Sequence, residues 1–184
     1  MEVKGTAFLA RKAYLTQEHG AARFEEVLST VALRDPVFAE PILATARLPV
    51  DGFLRFNDAM VTALYGGDDR SYFKFGQGSA EWSFTVGPYR HLALTRSVDQ
   101  FAASAPVMLR NFFTAGEARA ELVGPDQVDT FLSEIESHHV YFEYALMGFF
   151  ARGLQMVSGR EVTMVVRRGF SRGDPDVHYE FHLA

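Results

Sequence analysis

The chain has no cysteine and a single tryptophan among its 184 residues. Without thiols it can form no disulfide, thiolate zinc site or cysteine nucleophile, which suits a reducing compartment. No apolar run approaches the ~20 residues that cross a bilayer. The opening stretch Met1–Ala10 is too short in apolar residues for a signal peptide. The net charge is −5, without the basic stripe usual in nucleic-acid binders. No Walker loop occurs, and Gly76-Gln77-Gly78 lacks the third glycine and the strand-to-helix setting of a dinucleotide fingerprint. The expectation is a cytoplasmic protein with neither nucleic acid nor membrane as partner. Its length suits one domain over residues 1–184.

What the chain has in excess is phenylalanine, 17 in all, within a 48% hydrophobic composition. That much apolar side chain either fills a bulky core or surrounds an apolar cavity. A chain of this size hides about 70% of its unfolded surface and needs no covalent staple.

The last third is the most regular stretch. Ser137–Ser158 reads as a helix, with Val140, Tyr144, Met147, Ala151 and Leu154 on one face and Gly159 as its stop. Val162, Met164 and Val166 then alternate with Thr163, Val165 and Arg167. Gly169–Pro175 turns the chain, and Val177, Tyr179, Phe181 and Leu183 alternate with His178, Glu180 and His182, the period of a half-buried strand.

Earlier in the chain, Val3–His19 and Ala21–Val31 read as helices separated by Gly20. Asp35-Pro36 and Glu40-Pro41 break the pattern, and Arg47–Asp51 is extended around Pro49. Asp51 is placed to cap a helix carrying Phe53, Phe56, Met60 and Leu64, which Gly66-Gly67 ends. Ser71–Val86 is an aromatic helix interrupted by Gly76 and Gly78, each costing about 1 kcal/mol against alanine. Close approach of a backbone, or of a bound molecule, accounts for such glycines.

Tyr89–Thr95 is a short segment after Gly87-Pro88. Ser97 and Gln100 form a capping pair before a stripe of Val98, Phe101, Ala105, Met108 and Phe112. Pro106 divides that stripe, with Ser104 placed to cap its second half. Glu117–Val123 and Gln127–Glu134 read as strands joined by Gly124-Pro125-Asp126. The class is α+β: helices, then strand-strand-helix-strand-strand.

Few residues suggest chemistry. His138 and His139 with Glu134, Glu136 and Glu143 have metal-like density, but a di-iron bundle needs two Glu-x-x-His motifs and only one occurs. A solvated helix start favoured by the dipole explains them better. His91, His178 and His182 have no nucleophile at a triad-like spacing. Arg167, Arg168 and Arg172 could hold an anion beside the last turn, or be solvated.

Two stretches carry a family resemblance. The opening Val3-Lys4-Gly5-Thr6-Ala7-Phe8, with Tyr14-Leu15 and Gly20, resembles the start of haem-NO-binding-like domains, closest to a myxobacterial paralogous family of unknown function. The ending, Arg168-Gly169-Phe170-Ser171-Arg172-Gly173-Asp174-Pro175 and then Tyr179-Glu180-Phe181-His182-Leu183, resembles the terminal hairpin of 4-vinyl-reductase-type small-molecule-binding domains. Gly148, Leu154 and Gly159 sit where that superfamily has its last helix.

The resemblance implies N-terminal helices packed on a four-stranded antiparallel sheet, an enclosed apolar pocket, sensor roles and frequent dimers. It also exposes departures. Haem-binding relatives use an axial histidine and a Tyr-x-Ser-x-Arg motif; Val98–Thr114 has no histidine, and the motif occurs nowhere. Zinc-binding relatives use cysteines near the last hairpin, where Asp176 and Val177 stand here. Neither haem nor zinc is expected as a cofactor.

The expected function is non-enzymatic: a ligand-binding or signalling domain for an apolar or aromatic small molecule, without haem. The alternative is a dimeric protein-interaction module with a filled core. If three helices enclose a pocket, Trp82, Phe101, Met108, Phe112 and Tyr144 are its expected lining. No catalytic residue and no metal ligand is expected.

Overall fold

In the computed structural model, which describes residues 1–184, helices come first and a four-stranded antiparallel sheet comes last. The class is α+β, as the periodicities indicated. Strand β1 (Glu2–Lys4) leads into α1 (Gly5–His19) and α2 (Ala21–Ala32). Strand β2 (Arg47–Pro49) pairs antiparallel with β1 and precedes α3 (Val50–Tyr65). Then follow α4 (Ser71–Thr85), α5 (Arg90–Thr95), α6 (Val98–Ala103) and α7 (Ala105–Phe112). The sheet is built from β3 (Glu117–Gly124), β4 (Gln127–Ser133), β5 (Val162–Arg168) and β6 (Val177–Leu183), with α8 (Val140–Ser158) between its two hairpins.

The strand order is β3-β4-β6-β5, so the last strand is an inner one. Val128, Thr130 and Leu132 of β4 point inward with Val177, Tyr179, Phe181 and Leu183 of β6, while β3 and β5 form the edges. The backbone groups of that last strand are paired on both sides, so it offers no free edge to a second chain.

Helices α4 and α8 make the most extensive helix pair, and glycines explain it. A Cβ on Gly76 would lie 1.9 Å from the Ala145 carbonyl oxygen, and one on Gly148 would lie 2.0 Å from that of Phe73. Backbone approaches backbone, so the stability cost of glycine in α4 is offset by packing. Gly78 makes room for the Tyr14 ring. Of the two explanations open in the sequence, packing is the one seen.

Most of the phenylalanines are core. Phe8, Phe24, Phe38, Phe53 and Phe56 pack together beneath α1–α3, and Phe84, Phe101, Phe149 and Phe150 form a second group between α4, α6 and α8. One continuous apolar cluster joins both groups to the sheet. No helix is long and apolar enough to cross a membrane.

Several boundaries differ from expectation for physical reasons. Val3 and Lys4 are strand, because residues 47–49 lie alongside them, and Gly5 starts the helix where a Cβ would strike the Leu43 carbonyl. Asp51 lies in the first turn of α3 rather than capping it. Ser97 does cap α6, accepting from the Gln100 N–H. Ser104 instead donates back to the Gln100 carbonyl and caps nothing. The final helix starts at Val140, with His139 as its cap.

Candidate functional site

Where α1, α4, α7 and α8 converge lies a cavity of about 40 Å³. Ala7 and Arg11 of α1, Gly76 and Ser79 of α4, and Met108, Leu109 and Phe112 of α7 contribute to its wall. Phe113 and Leu132 close it on the side of β4, and Tyr141, Phe142, Ala145, Leu146 and Phe149 of α8 complete the lining. All but Arg11, Gly76 and Ser79 are hydrophobic. Ser79, Phe112 and Leu146 are only half-buried, so the cavity lies near the surface on that side.

Arg11 is the charged residue of this wall, and it is 1% exposed. Its Nε donates to Asn57 Oδ1 at 3.0 Å, and its Nη2 reaches the Tyr141 hydroxyl at a long 3.4 Å. Asn57 is itself anchored by donating to the Phe53 carbonyl. The guanidinium carbon stands 4.1 Å from the centre of the Phe75 ring. Nη1 has no partner, and no carboxylate pairs with the group. Burial lowers its pKa and the Tyr141 hydroxyl partly opposes that, as expected for a charge taken out of water. The sequence did carry a signal for it. Arg11 sits four residues after Ala7 and four before Leu15, on the buried face of α1.

Of the five residues expected to line a pocket, Met108 and Phe112 line this cavity, with Phe112 at its outer edge. Phe101 is buried in the second aromatic group, against Phe84, Phe150 and Gly153. Trp82 lies in a separate groove of about 420 Å³, with Tyr14, Glu81 and Arg152. Tyr144 is half-buried against the core and touches neither space. The five therefore do not converge. Helix α8 explains part of this: it is sandwiched between α4 and the sheet and buried on nearly all sides, so the five-residue stripe did not identify its inward face.

The histidine-rich start of α8 is structural. The His139 side chain accepts from the Tyr141 N–H, and its Nε2 faces Asp58 at 3.4 Å. Burial alone would raise the Asp58 carboxyl, but hydrogen bonds with His139 and Tyr72 outweigh it and hold that group below its usual range. Glu143, expected on a solvated helix start, is instead 0% exposed. It accepts from the Ser171 N–H at 2.7 Å, the Ser171 hydroxyl at 2.9 Å and the Tyr179 hydroxyl at 2.8 Å. A Cβ on Gly169 would lie 2.5 Å from its Oε1. The terminal motif of glycine, serine and tyrosine thus encloses one carboxylate, and burial of the Tyr179 hydroxyl, with Glu143 beside it, pushes that hydroxyl's pKa upward.

The arginines near that turn are all engaged. Arg167 grips Glu180 at 2.7 and 2.8 Å, Arg168 meets Asp176 at 3.0 Å, and Arg172 donates to the Val166 carbonyl. They form no anion cradle. On the outer sheet face, Asp129, His178 and Glu180 come within metal-binding reach of one another. Both Glu180 oxygens are held by Arg167, however, and His178 is paired with Asp129 at 2.9 Å.

No protein-family model matches the sequence, and no curated protein does. Solved structures do. An oxygen-binding H-NOX domain related to soluble guanylate cyclases, solved as its oxygen complex, aligns with a TM-score of 0.74 at 15% identity, covering 98% of this chain and 94% of that one. An H-NOX protein from S. oneidensis in the Fe(II)NO state gives 0.73 at 13% identity over 98% and 99%. An H-NOX protein from K. algicida gives 0.68 at 8% identity over 98% and 96%. This chain therefore has the H-NOX-like fold over nearly its whole length.

Haem is the group this fold implies, and the residues present do not fit it. Ligand pockets typically run to about 300–1,000 Å³, against about 40 Å³ here. No histidine lines the cavity, so the usual axial ligand is missing from its wall. The backbone contact between Gly76 and Ala145 closes α4 onto α8 beside it, and aromatic rings crowd the space that remains.

Proposed function

We propose that this chain is a haem-free small-molecule sensor that takes its ligand into the cavity between α1, α4, α7 and α8. The observation that carries the reading is the lining itself: a mostly apolar wall near the surface with one buried, incompletely paired cation in it. Apolar walls with a few placed polar groups are the usual make-up of a ligand site. No acid or histidine lines the cavity, which favours binding over catalysis. As it stands, the space suits a molecule of a few heavy atoms, since one water needs about 10–15 Å³. A larger apolar or aromatic ligand needs Phe112 to swing outward. The solved H-NOX proteins with bound oxygen or NO support a sensing role by likeness of fold.

A second reading has its own observation. Strand β5 is an edge strand with Met164 and Val165 exposed, which suits a homodimer or a partner protein pairing along that edge. In that case the cavity is a packing gap in an interaction module.

Native mass spectrometry of protein purified from its own host separates the two. A reproducible small-molecule adduct supports the sensor. A clean dimer with no adduct supports the interaction module and overturns the sensor.

A further inference from the structure

We infer that Arg11 anchors the carboxylate of a small ligand held in the cavity between α1, α4, α7 and α8. This rests on the sensor reading above and specifies the polar end of its ligand.

Side chains from α3, α4 and α8 face the guanidinium. From α3, Asn57 accepts from Nε at 3.0 Å. From α8, Tyr141 stands 3.4 Å from Nη2. From α4, the Phe75 ring lies 4.1 Å beneath the carbon. The remaining groups that bear on its charge are the hydroxyls of Tyr14 and Tyr65. Every one of these is neutral. A buried charge is ordinarily paired or fully hydrogen-bonded, because desolvation outweighs what neutral partners return. Arg11 is neither: Nη1 has no acceptor, and Nη2 has only a long contact.

The two Nη atoms, one without an acceptor and one with only a long contact, are the adjacent pair that grips a carboxylate through two parallel bonds. The cavity supplies the rest. Its volume of about 40 Å³ suits an acetate-sized molecule, by the measure in which a water needs about 10–15 Å³. Its apolar wall offers Met108, Leu109 and Phe149 to the ligand's hydrocarbon end. A carboxylate here pairs the one buried charge whose hydrogen bonds are incomplete. A neutral ligand of the same shape does not.

The test uses isotopically labelled full-length protein at neutral pH, where acetate is ionised. Sodium acetate is titrated while the methyl signals of Met108 and Leu109 and the Arg11 Nε–H signal are followed. Ionic strength is held with sodium gluconate, whose bulky anion does not fit the cavity. Acetone serves as the uncharged isostere. The expected result is a saturable acetate response at all three sites, with acetone weaker by about tenfold or more and the acetate response at the two methyl-bearing residues lost in Arg11→Met. If acetate and acetone bind equally, or Arg11→Met binds acetate as well as wild type, the carboxylate anchor is overturned while ligand binding stands. If neither probe perturbs these sites, the anchor is overturned, and the sensor reading is judged on the mass-spectrometric adduct. Should Arg11→Met fail to fold, the wild-type contrast between acetate and acetone at Met108 and Leu109 decides alone.

Discussion

Glu143 and Arg11 are the two charged side chains buried in this chain, and the fold treats them in opposite ways. Around Glu143 the last turn and last strand supply three short hydrogen bonds, and Gly169 leaves room for the carboxylate. Around Arg11 one acceptor is well placed, one is distant, and Nη1 has none. A satisfied buried charge fixes a structure, here the docking of the terminal hairpin onto α8. An incompletely satisfied one on a cavity wall leaves interaction energy for a ligand to claim.

Substitutions break or sharpen that contrast. Glu143→Leu has the largest expected effect. It strands the Ser171 and Tyr179 donors and should lower unfolding stability by about 3–5 kcal/mol in urea melts. A loss below about 1 kcal/mol would put Glu143 on the same footing as Arg11.

Phe112→Ala comes next. A packed phenylalanine costs roughly 3–5 kcal/mol on truncation, but Phe112 is half-buried at the edge of a cavity. A loss of about 1–2 kcal/mol is expected, with tighter uptake of apolar probes by calorimetry. Global unfolding would show that Phe112 is ordinary core. Trp82 lies outside the cavity and is a poor reporter of its filling.

Tyr179→Phe removes one of the three donors to Glu143 and should cost about 1 kcal/mol. Arg11→Met is expected to be milder. Replacing a lone buried charge by an apolar chain of similar length should leave stability within about 1 kcal/mol of wild type, or raise it. A loss as large as that of Glu143→Leu would make Arg11 a structural residue and erase the contrast.

A smaller effect depends on pH. The Asp58 carboxyl is held below its ordinary value of 3.8, so its contribution is fully present above that value and is lost as pH falls through the folded value. Asp58→Asn should therefore narrow its stability difference from wild type as the pH drops below about 4, measured by thermal melts. A difference that does not change with pH would show that Asp58 acts through packing instead.

What could be read in the sequence follows from range. The strand-strand-helix-strand-strand ending, the stop at Gly159 and the Ser97 cap are local patterns, and they stand. Strand β1 could not be read, because Val3 and Lys4 extend only through residues some 45 positions away. Glu143 looked solvated because helix periodicity describes one buried face, while α8 is covered by α4 on one side and the sheet on the other. Among the expected lining residues, Met108 and Phe112 lie on the face of α7 turned to the cavity. Trp82, Phe101 and Tyr144 met the same compositional criterion, and aromatic character alone cannot tell a cavity wall from a filled core. Arg11 escaped notice because arginine is ordinarily a surface residue, although its place between Ala7 and Leu15 on one helix face marked it.

An H-NOX-like fold here holds a small cavity lined by rings and one arginine, with too little space for haem. Expression with excess haem followed by desalting tests it most directly. No Soret band above that of a non-binding control is expected. A stoichiometric band that survives desalting, and disappears when one of the six histidines is replaced, would contradict it.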